Sequence, residues 1–387
     1  MTDPVAITGV GQTLYRRRHS DKNTAELVRE ATTAALNDAG IGLDGIDLIV
    51  GGVAPDALSG LANIDLMSIA QPGIPYMRVN TGGATGSSAV LAGMTWIASG
   101  RGKAVLVVAV ERMGHATTAQ SIFNSIFDPI YEKDISMSTI SMVALRATLM
   151  MQKYGFTSDH WAELAARNAT ISALNDTIER PRVFTADQVK NSGILAWPIR
   201  ALEACPITEG ACAVVLTHAS LVGDRKPAWI HGAGAFSDTY AMGDRFHRPE
   251  GSLVNLLTLE RSARKAYEQA GIADPLAELD MVEIQAPFAS SEVMAYMALG
   301  LCAPENNVAF TERAIAGTAG IAFQPSGGPQ ACNPVSVTAL IRITEAALQI
   351  RGKAGARQLD GIRRTMSTGQ GGATQFSTAV ILGADKP

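Results

Sequence analysis

The sequence predicts an α/β protein with a mostly parallel sheet, helices on both faces, and two halves built on one plan. Short, near-continuously apolar runs read as strands buried on both faces, and amphipathic stretches between them read as covering helices. The same order of elements then occurs twice. In "TAELVREATTAALNDAGIGLDGIDLIVGG" (24–52) a helix with one apolar face stops at Gly40 and is followed by a short strand at Leu48, Ile49 and Val50. Next come the glycine-rich turn of "VNTGGATGSSAV" (79–90), a helix through Ala89–Ser99, "GRGK" (100–103) and the strand "AVLVVAV". In "LLTLERSARKAYEQAGIADPLAELDMVEIQAPF" (256–288) a helix ends at Ala270-Gly271-Ile272, before an acidic linker and a strand from Asp280. "PSGG" (325–328), a helix through Val337–Ile350, "RGK" (351–353) and the closing strand "STAVILG" complete the second copy. This repetition reads as a tandem duplication, with halves at 1–225 and 226–387. The stretch 113–200, rich in Met, Ser, Asn and His, is an excursion from the first half, and long insertions of this kind bear function.

Composition bounds the partners. With 47% hydrophobic and 18% charged residues, a chain of 387 residues buries one large core or two moderate ones. A net charge of −4 without a basic run gives no footprint for nucleic acid or an anionic membrane, so small molecules or proteins are the expected partners. The N-terminus lacks the order of a signal peptide, and no run of about 18 apolar residues is present. Cys205, Cys212, Cys302 and Cys332 have neither disulfide-scaffold nor zinc spacing, which fits a reducing cytoplasm. Two glycosylation patterns, at Asn168 and Asn175, are read as accidental.

The duplicated order, "NTGGATGSSA" at the head of a helix, "VAVERM", "ACPITEGACAVVL", "PSGG" before "NPVSVTALIRITEAALQIRGK", and "GQGGATQFSTAVIL" together resemble the thiolase superfamily. The likeness is strongest to the sterol-carrier-protein-type thiolases and their thiolase-like relatives, and it covers nearly the whole chain. It implies a duplicated five-layered αβαβα fold with an inserted loop domain, and a homodimer. The implied ligands are acyl-CoA thioesters, so coenzyme A enters as part of the substrate, with no metal or redox cofactor.

Carried onto this sequence, the resemblance puts the family's nucleophilic cysteine at Gly83, which has no side chain to attack a thioester. The histidine of the family's Gly-His-Pro is matched by Asn333 in Cys332-Asn333-Pro334. An amide can donate to a developing oxyanion but cannot shuttle protons near pH 7. The C-terminal loop, where the family carries a second cysteine as acid/base, reads Gly369-Gln370-Gly371-Gly372. Gln285 in "EIQAPF" stands at the family's Asn or His, again a donor that does not titrate. The turn at 79–90 keeps a geometry that aims N–H groups at a carbonyl, while every group that would form a covalent bond or exchange a proton is missing. An ordinary Claisen-type thiolase is therefore excluded.

Each residue also has a plainer reading. Gly83 could be a backbone position needing φ > 0, or the lost side chain could make room for a bulkier substrate. Cys332 reads as a buried inert thiol or as a relocated nucleophile, its pKa lowered by a helix N-terminus. Asn333 and Gln285 could cap a helix and a strand end, and Gln370 could be a plain loop residue. His115 in "ERMGHATT" is the most attractive titratable group at the head of the insertion, against the reading of a solvated histidine. Cys205 and Cys212 are assigned to packing. Arg16-Arg17-Arg18 reads as a solvated face, and Met137, Met142, Met150 and Met151 read as core or an adaptable acyl-chain wall.

Three functions follow. The first is carbon–carbon bond chemistry next to a CoA thioester without a covalent intermediate, of the retro-aldol type, in a cytoplasmic degradative pathway for lipids or sterols. Thiolase-like aldolases of sterol side-chain breakdown are similar in lacking the cysteine and act with a small OB-fold, zinc-ribbon partner protein. They use tyrosines as acid and base, which have no match here. The second is a non-catalytic thioester-binding or scaffold subunit of a thiolase-like complex. The third is acyl transfer through Cys332.

Overall fold

The computed structural model describes residues 4–58, 63–115, 119–132, 138–247 and 253–387. The strands are β1 (Val5–Gln12), β2 (Leu48–Gly52), β3 (Tyr76–Val79), β4 (Ala104–Arg112), β5 (Ile194–Ala196), β6 (Ile199–Arg200), β7 (Glu209–His218), β8 (Ala228–Ser237), β9 (Met281–Glu283), β10 (Ala322–Phe323), β11 (Arg364–Gly371) and β12 (Phe376–Gly383). The longer helices are α1 (Thr24–Ala39), α2 (Thr85–Ala98), α3 (Thr139–Tyr154), α4 (Ser158–Ser172), α5 (Leu257–Ala270), α6 (Ala289–Ala298), α7 (Asn307–Ile315) and α8 (Thr338–Arg351).

Ten strands follow the order β10-β9-β11-β12-β8-β1-β7-β4-β2-β3, and β5 and β6 pair separately. The expected mostly parallel sheet is corrected to a mixed one: β2 pairs parallel with β3 and β4, and β9 with β10 and β11, while the five central pairings are antiparallel. Reading inward from either end gives the same half twice: β3-β2-β4-β7-β1 and β10-β9-β11-β12-β8. The halves meet where β1 and β8 pair antiparallel through Ala6 and Ile7 against Trp229 and Ala228. Helix α1 packs on β1, β7 and β4, and α5 packs on β8 and β12, covering the outer faces. Helices α2 and α8 pack on each other between the half-sheets, which completes the αβαβα layering. Strand β4 is buried along its whole length, as a strand covered on both faces requires.

The duplication has a local signature in "ITGVGQ" (7–12) and "IHGAGA" (230–235). A Cβ on Gly9 would overlap the Ala35 carbonyl oxygen of α1 and stand 2.6 Å from Ala39 Cβ. In the other half, a Cβ on Gly232 would overlap the Ala266 carbonyl oxygen of α5. Each outer helix thus lies directly on the backbone of its strand, and only glycine permits that approach.

The structure corrects the register of the repeat. The closing strand "STAVILG" falls in β12, the counterpart of β7, whereas the counterpart of β4 is β11. Residues 369–371, expected in a loop, are the last three of β11, which pairs with β12 through Gly371 and Phe376. The expected strand from Asp280 is only the three residues of β9. Among its described residues the insertion is largely helical, with α3 and α4 as its main elements and the short pair β5 and β6 at its end. Met142 and Met150 are buried in the same cluster as Trp161 and Tyr296, so they are core; Met137 lies outside the described residues. Asn168 and Asn175 are buried, as accidental glycosylation matches would be.

Gly9→Ala is expected to lower the unfolding free energy by about 3 kcal/mol, because the added methyl must push α1 off the sheet. Urea denaturation measures this, and an unchanged midpoint would contradict the packing of α1 on β1.

Candidate functional site

The glycine-rich turn is held by its own side chains before it meets the second half. After β3, Asn80 Oδ1 accepts the Gly82 N–H at 3.1 Å and Thr85 Oγ1 accepts the Thr81 N–H at 2.9 Å. Gly82 carries the positive φ of +61°, and Gly83 does not, so the left-handed reading of Gly83 is corrected. What Gly83 provides is close approach. Gln285 Nε2 donates to the Gly83 carbonyl at 3.0 Å, and Gln285 Oε1 accepts the Gln370 N–H at 2.9 Å. The Gln285 N–H donates to Thr368 Oγ1 at 3.0 Å, fixing the chain beside β11. A Cβ on Gly83 would lie 2.6 Å from Gln285 Nε2 and would overlap the Gln370 carbonyl oxygen. The space where a cysteine side chain would begin is therefore filled, not open for a bulkier substrate. The Gln285 amide retains one N–H beyond these bonds, and Gln370 Nε2 is buried without a partner among the described residues.

Asn333 belongs to a second neighbourhood. Its N–H donates to Thr208 Oγ1 at 2.9 Å, its Nδ2 donates to Cys205 Sγ at 3.1 Å, and its Oδ1 accepts from Thr338 Oγ1 at 2.8 Å. Helix α8 starts five residues later, with Val337 at its N-cap and no side-chain cap, so Asn333 does not cap it. For the same reason Cys332 is not at a helix N-terminus. It is 1% exposed and packs in the cluster that includes Val337 and Leu340.

Burial holds all four thiols neutral: Cys205 is pushed up to about 11, and Cys212, Cys302 and Cys332 to about 12. The hydrogen bond from Asn333 offsets only part of this at Cys205. The structure thus brings Gly83, Gln285 and Gln370 together and ties Asn333 to Cys205, while Cys332 lies in the core. His115 ends the short turn Met113–His115, and its side chain lies outside the described residues. Cys205, Thr208, Thr338 and Thr368 were not anticipated as site residues. The motif "ACPITEG" held the signal for the first two, but nothing local says that Cys205 faces Asn333.

Beside Cys205, Glu203 is fully buried, with Oε2 accepting the Arg200 N–H at 3.3 Å and Oε1 without a partner among the described residues. Burial raises its carboxyl from 4.5 to about 7. Among the described residues, no group of three or more His, Cys, Asp or Glu could hold a metal ion.

Residues 5–220 match the family described as thiolase, N-terminal domain, and residues 245–384 match the thiolase C-terminal domain-like family. The chain belongs to the thiolase superfamily. An acetyl-CoA acetyltransferase of Methanothermobacter thermautotrophicus is 28% identical over 376 residues, covering 95% of this chain and 96% of that protein. Sterol carrier protein 2 of Gallus gallus is 27% identical over 95% of this chain and 70% of its own length. Among solved structures, the Ltp2-ChsH2(DUF35) aldolase superposes with a TM-score of 0.82 at 21% identity, over 99% of this chain and 98% of that one. A monomeric SCP2-thiolase-like protein of Mycobacterium smegmatis gives 0.73 at 17% identity, over 98% and 78%. These structures share the thiolase fold seen here, and the sterol-carrier-protein-type branch is the one the sequence resembles.

The raised carboxyl of Glu203 makes stability depend on pH. The folded chain holds this proton between pH 4.5 and about 7 and the unfolded chain does not, so stability present below pH 4.5 falls as pH rises through 7. Glu203→Gln is expected to raise the unfolding free energy by about 1–3 kcal/mol at pH 8 and to leave it unchanged at pH 4. Denaturation curves at the two pH values check this, and equal effects at both would contradict the assignment.

Proposed function

We propose that this thiolase-superfamily chain handles an acyl-CoA in carbon–carbon bond cleavage or formation of the retro-aldol type, with no covalent intermediate on the protein. The observation that carries this reading is the filled space at Gly83, together with four thiols that all stay protonated. In the cleavage direction a β-hydroxyl loses its proton and the Cα–Cβ bond breaks. The electron pair passes into the enolate of the thioester, and Cα is then protonated. Such a step needs donors where negative charge gathers, and the second N–H of Gln285 and the Gln370 Nε2, which has no partner among the described residues, are of the right type. Neither titrates, nor does Asn333, so the proton acceptor is another group. The likeness to a two-component aldolase supports a partner chain, for which a small OB-fold, zinc-ribbon protein is our candidate. The acetyl-CoA acetyltransferase relatives support the acyl-CoA ligand rather than their chemistry, since transfer through Cys332 would need a thiolate that burial disfavours.

A second reading, a thioester-binding scaffold subunit, is favoured by Asn333. Both ends of its amide are used within the protein, which leaves its oxygen and one N–H fixed on Thr338 and Cys205.

A branched β-hydroxyacyl-CoA incubated with the chain and its candidate partner is expected to yield a chain-shortened CoA ester, followed by mass spectrometry. Gln285→Ala lowers the yield about 100-fold, and Cys332→Ala leaves it unchanged. An acyl adduct on any cysteine, or loss of turnover in Cys332→Ala, would overturn the non-covalent reading. Full turnover in Gln285→Ala would remove Gln285 from it. No turnover with any partner would favour the scaffold.

We further propose a homodimer built on the free edge of the sheet. Strand β3 ends the ten-stranded order, Met77 on it is exposed, and so are Leu66 and Met67 on the adjoining turn of helix. Light scattering is expected to give twice the 40.6 kDa chain mass, returning to one copy in Met77→Asp. A monomeric wild-type chain would refute the dimer.

A further inference from the structure

Away from Gln285, the insertion and the second half enclose a groove of about 480 Å³, a size that holds a small organic ligand. One wall is a face of α4, on which Glu163, Ala166, Arg167 and Thr170 recur at helical spacing. The other wall is the chain from Val183 into the short helix Ala186–Lys190, and Ile315, the last residue of α7, also lines the space. Ala166, Val183, Phe184 and Ile315 make most of this lining apolar, and Val183 is 59% exposed. Concave apolar surface left in contact with water is what a bound ligand would cover.

The neutral polar side chains of the lining bond locally. Thr170 Oγ1 donates to the Ala166 carbonyl at 3.0 Å. The Thr185 N–H donates to Gln188 Oε1 at 2.8 Å, and the Gln188 N–H to Thr185 Oγ1 at 3.2 Å. Arg167, the one cation of the lining, is already neutralised: its Nη1 donates to Glu292 Oε1 at 3.2 Å, and its Nη2 to the Phe323 carbonyl. Glu163 differs from all of these. Its carboxylate has no ion pair or hydrogen bond among the described residues, and the nearby Lys190 is paired with Asp159 at 3.2 Å. Glu312, one turn before Ile315 on α7, adds a second exposed carboxylate, 3.7 Å from His160 Nε2. The groove therefore joins an apolar floor to a negative rim.

We propose that this groove binds a small amphipathic amine, with an aliphatic or aromatic body against Ala166, Phe184 and Ile315 and its ammonium group on Glu163. Beside an apolar wall an ammonium–carboxylate bond is stronger than in open water. A carboxylate- or phosphate-bearing ligand would meet the Glu163 charge while Arg167 is committed to Glu292, so the lining selects against anions. This inference stands apart from the retro-aldol reading and is tested without turnover.

Hexylammonium, hexanoate and hexanol, which share one body and differ in charge, are titrated calorimetrically into the full chain near neutral pH at fixed ionic strength. Hexylammonium is expected to bind saturably at one site, about tenfold more tightly than either of the others. Hexanol or hexanoate binding as tightly as the amine overturns the assignment, and so does the absence of saturable heat from the amine. Glu163→Gln weakens the amine about tenfold, and Glu260→Gln, at an exposed position of α5, leaves it unchanged. Ala166→Phe fills the groove and abolishes binding. Should Ala166→Phe fail to fold, Glu163→Gln decides, because that position is exposed: equal amine affinity in it overturns the site.

Discussion

The candidate site depends on one side-chain amide. Gln285 spans from the Gly83 carbonyl to the Gln370 N–H, and so ties the glycine-rich turn of the first half to the end of β11 in the second. The bond to Gly83 is buried, where a missing partner costs about 1–3 kcal/mol, and the bond to Gln370 is partly so, which holds each end of the amide to its mate. The bridge is possible only because residue 83 has no Cβ. Glycine at 83 and glutamine at 285 are thus two halves of one feature: the first clears the path and the second occupies it.

Filling that space changes what the thiolase scaffold can do. A covalent mechanism needs a nucleophile at the turn and a base beside it, and here an amide stands where the nucleophile would begin. The second neighbourhood is altered in the same sense, because Asn333 hydrogen-bonds to Cys205 and Thr338 rather than presenting an imidazole. What remains is a set of fixed dipoles. In the proposed function these dipoles would stabilise charge that another group generates, which is why that proposal turns on enolate chemistry and on a proton acceptor outside this set.

Much of the fold was legible because its signals are local. The ends of α1, α5 and α8 fall at Gly40, Gly271 and Gly352, each in the left-handed conformation that closes a helix, and glycine at that place can be read one residue at a time. Strand β11 was missed because Arg364, Ser367, Gly369 and Gly371 give it no apolar run, and it is a strand only by virtue of β9 and β12 on either side. At the site, the residue types at 83, 285, 333 and 370 were legible, and so was their inability to titrate. Their contacts were not: Gln285 meets Gly83 across 202 residues and Asn333 meets Cys205 across 128, distances at which no spacing rule operates.

Burial supplies the electrostatic character of the whole region. It raises the carboxyls of Glu111 and Glu203 to about 7 and every thiol to 11 or above, so near neutral pH the acids are only partly ionised and the thiols are not ionised at all. A medium that suppresses negative charge to this degree also strengthens any N–H dipole aimed at a ligand oxygen. A ligand oxygen at the Gln285 bridge would therefore meet donors held by the end of β11.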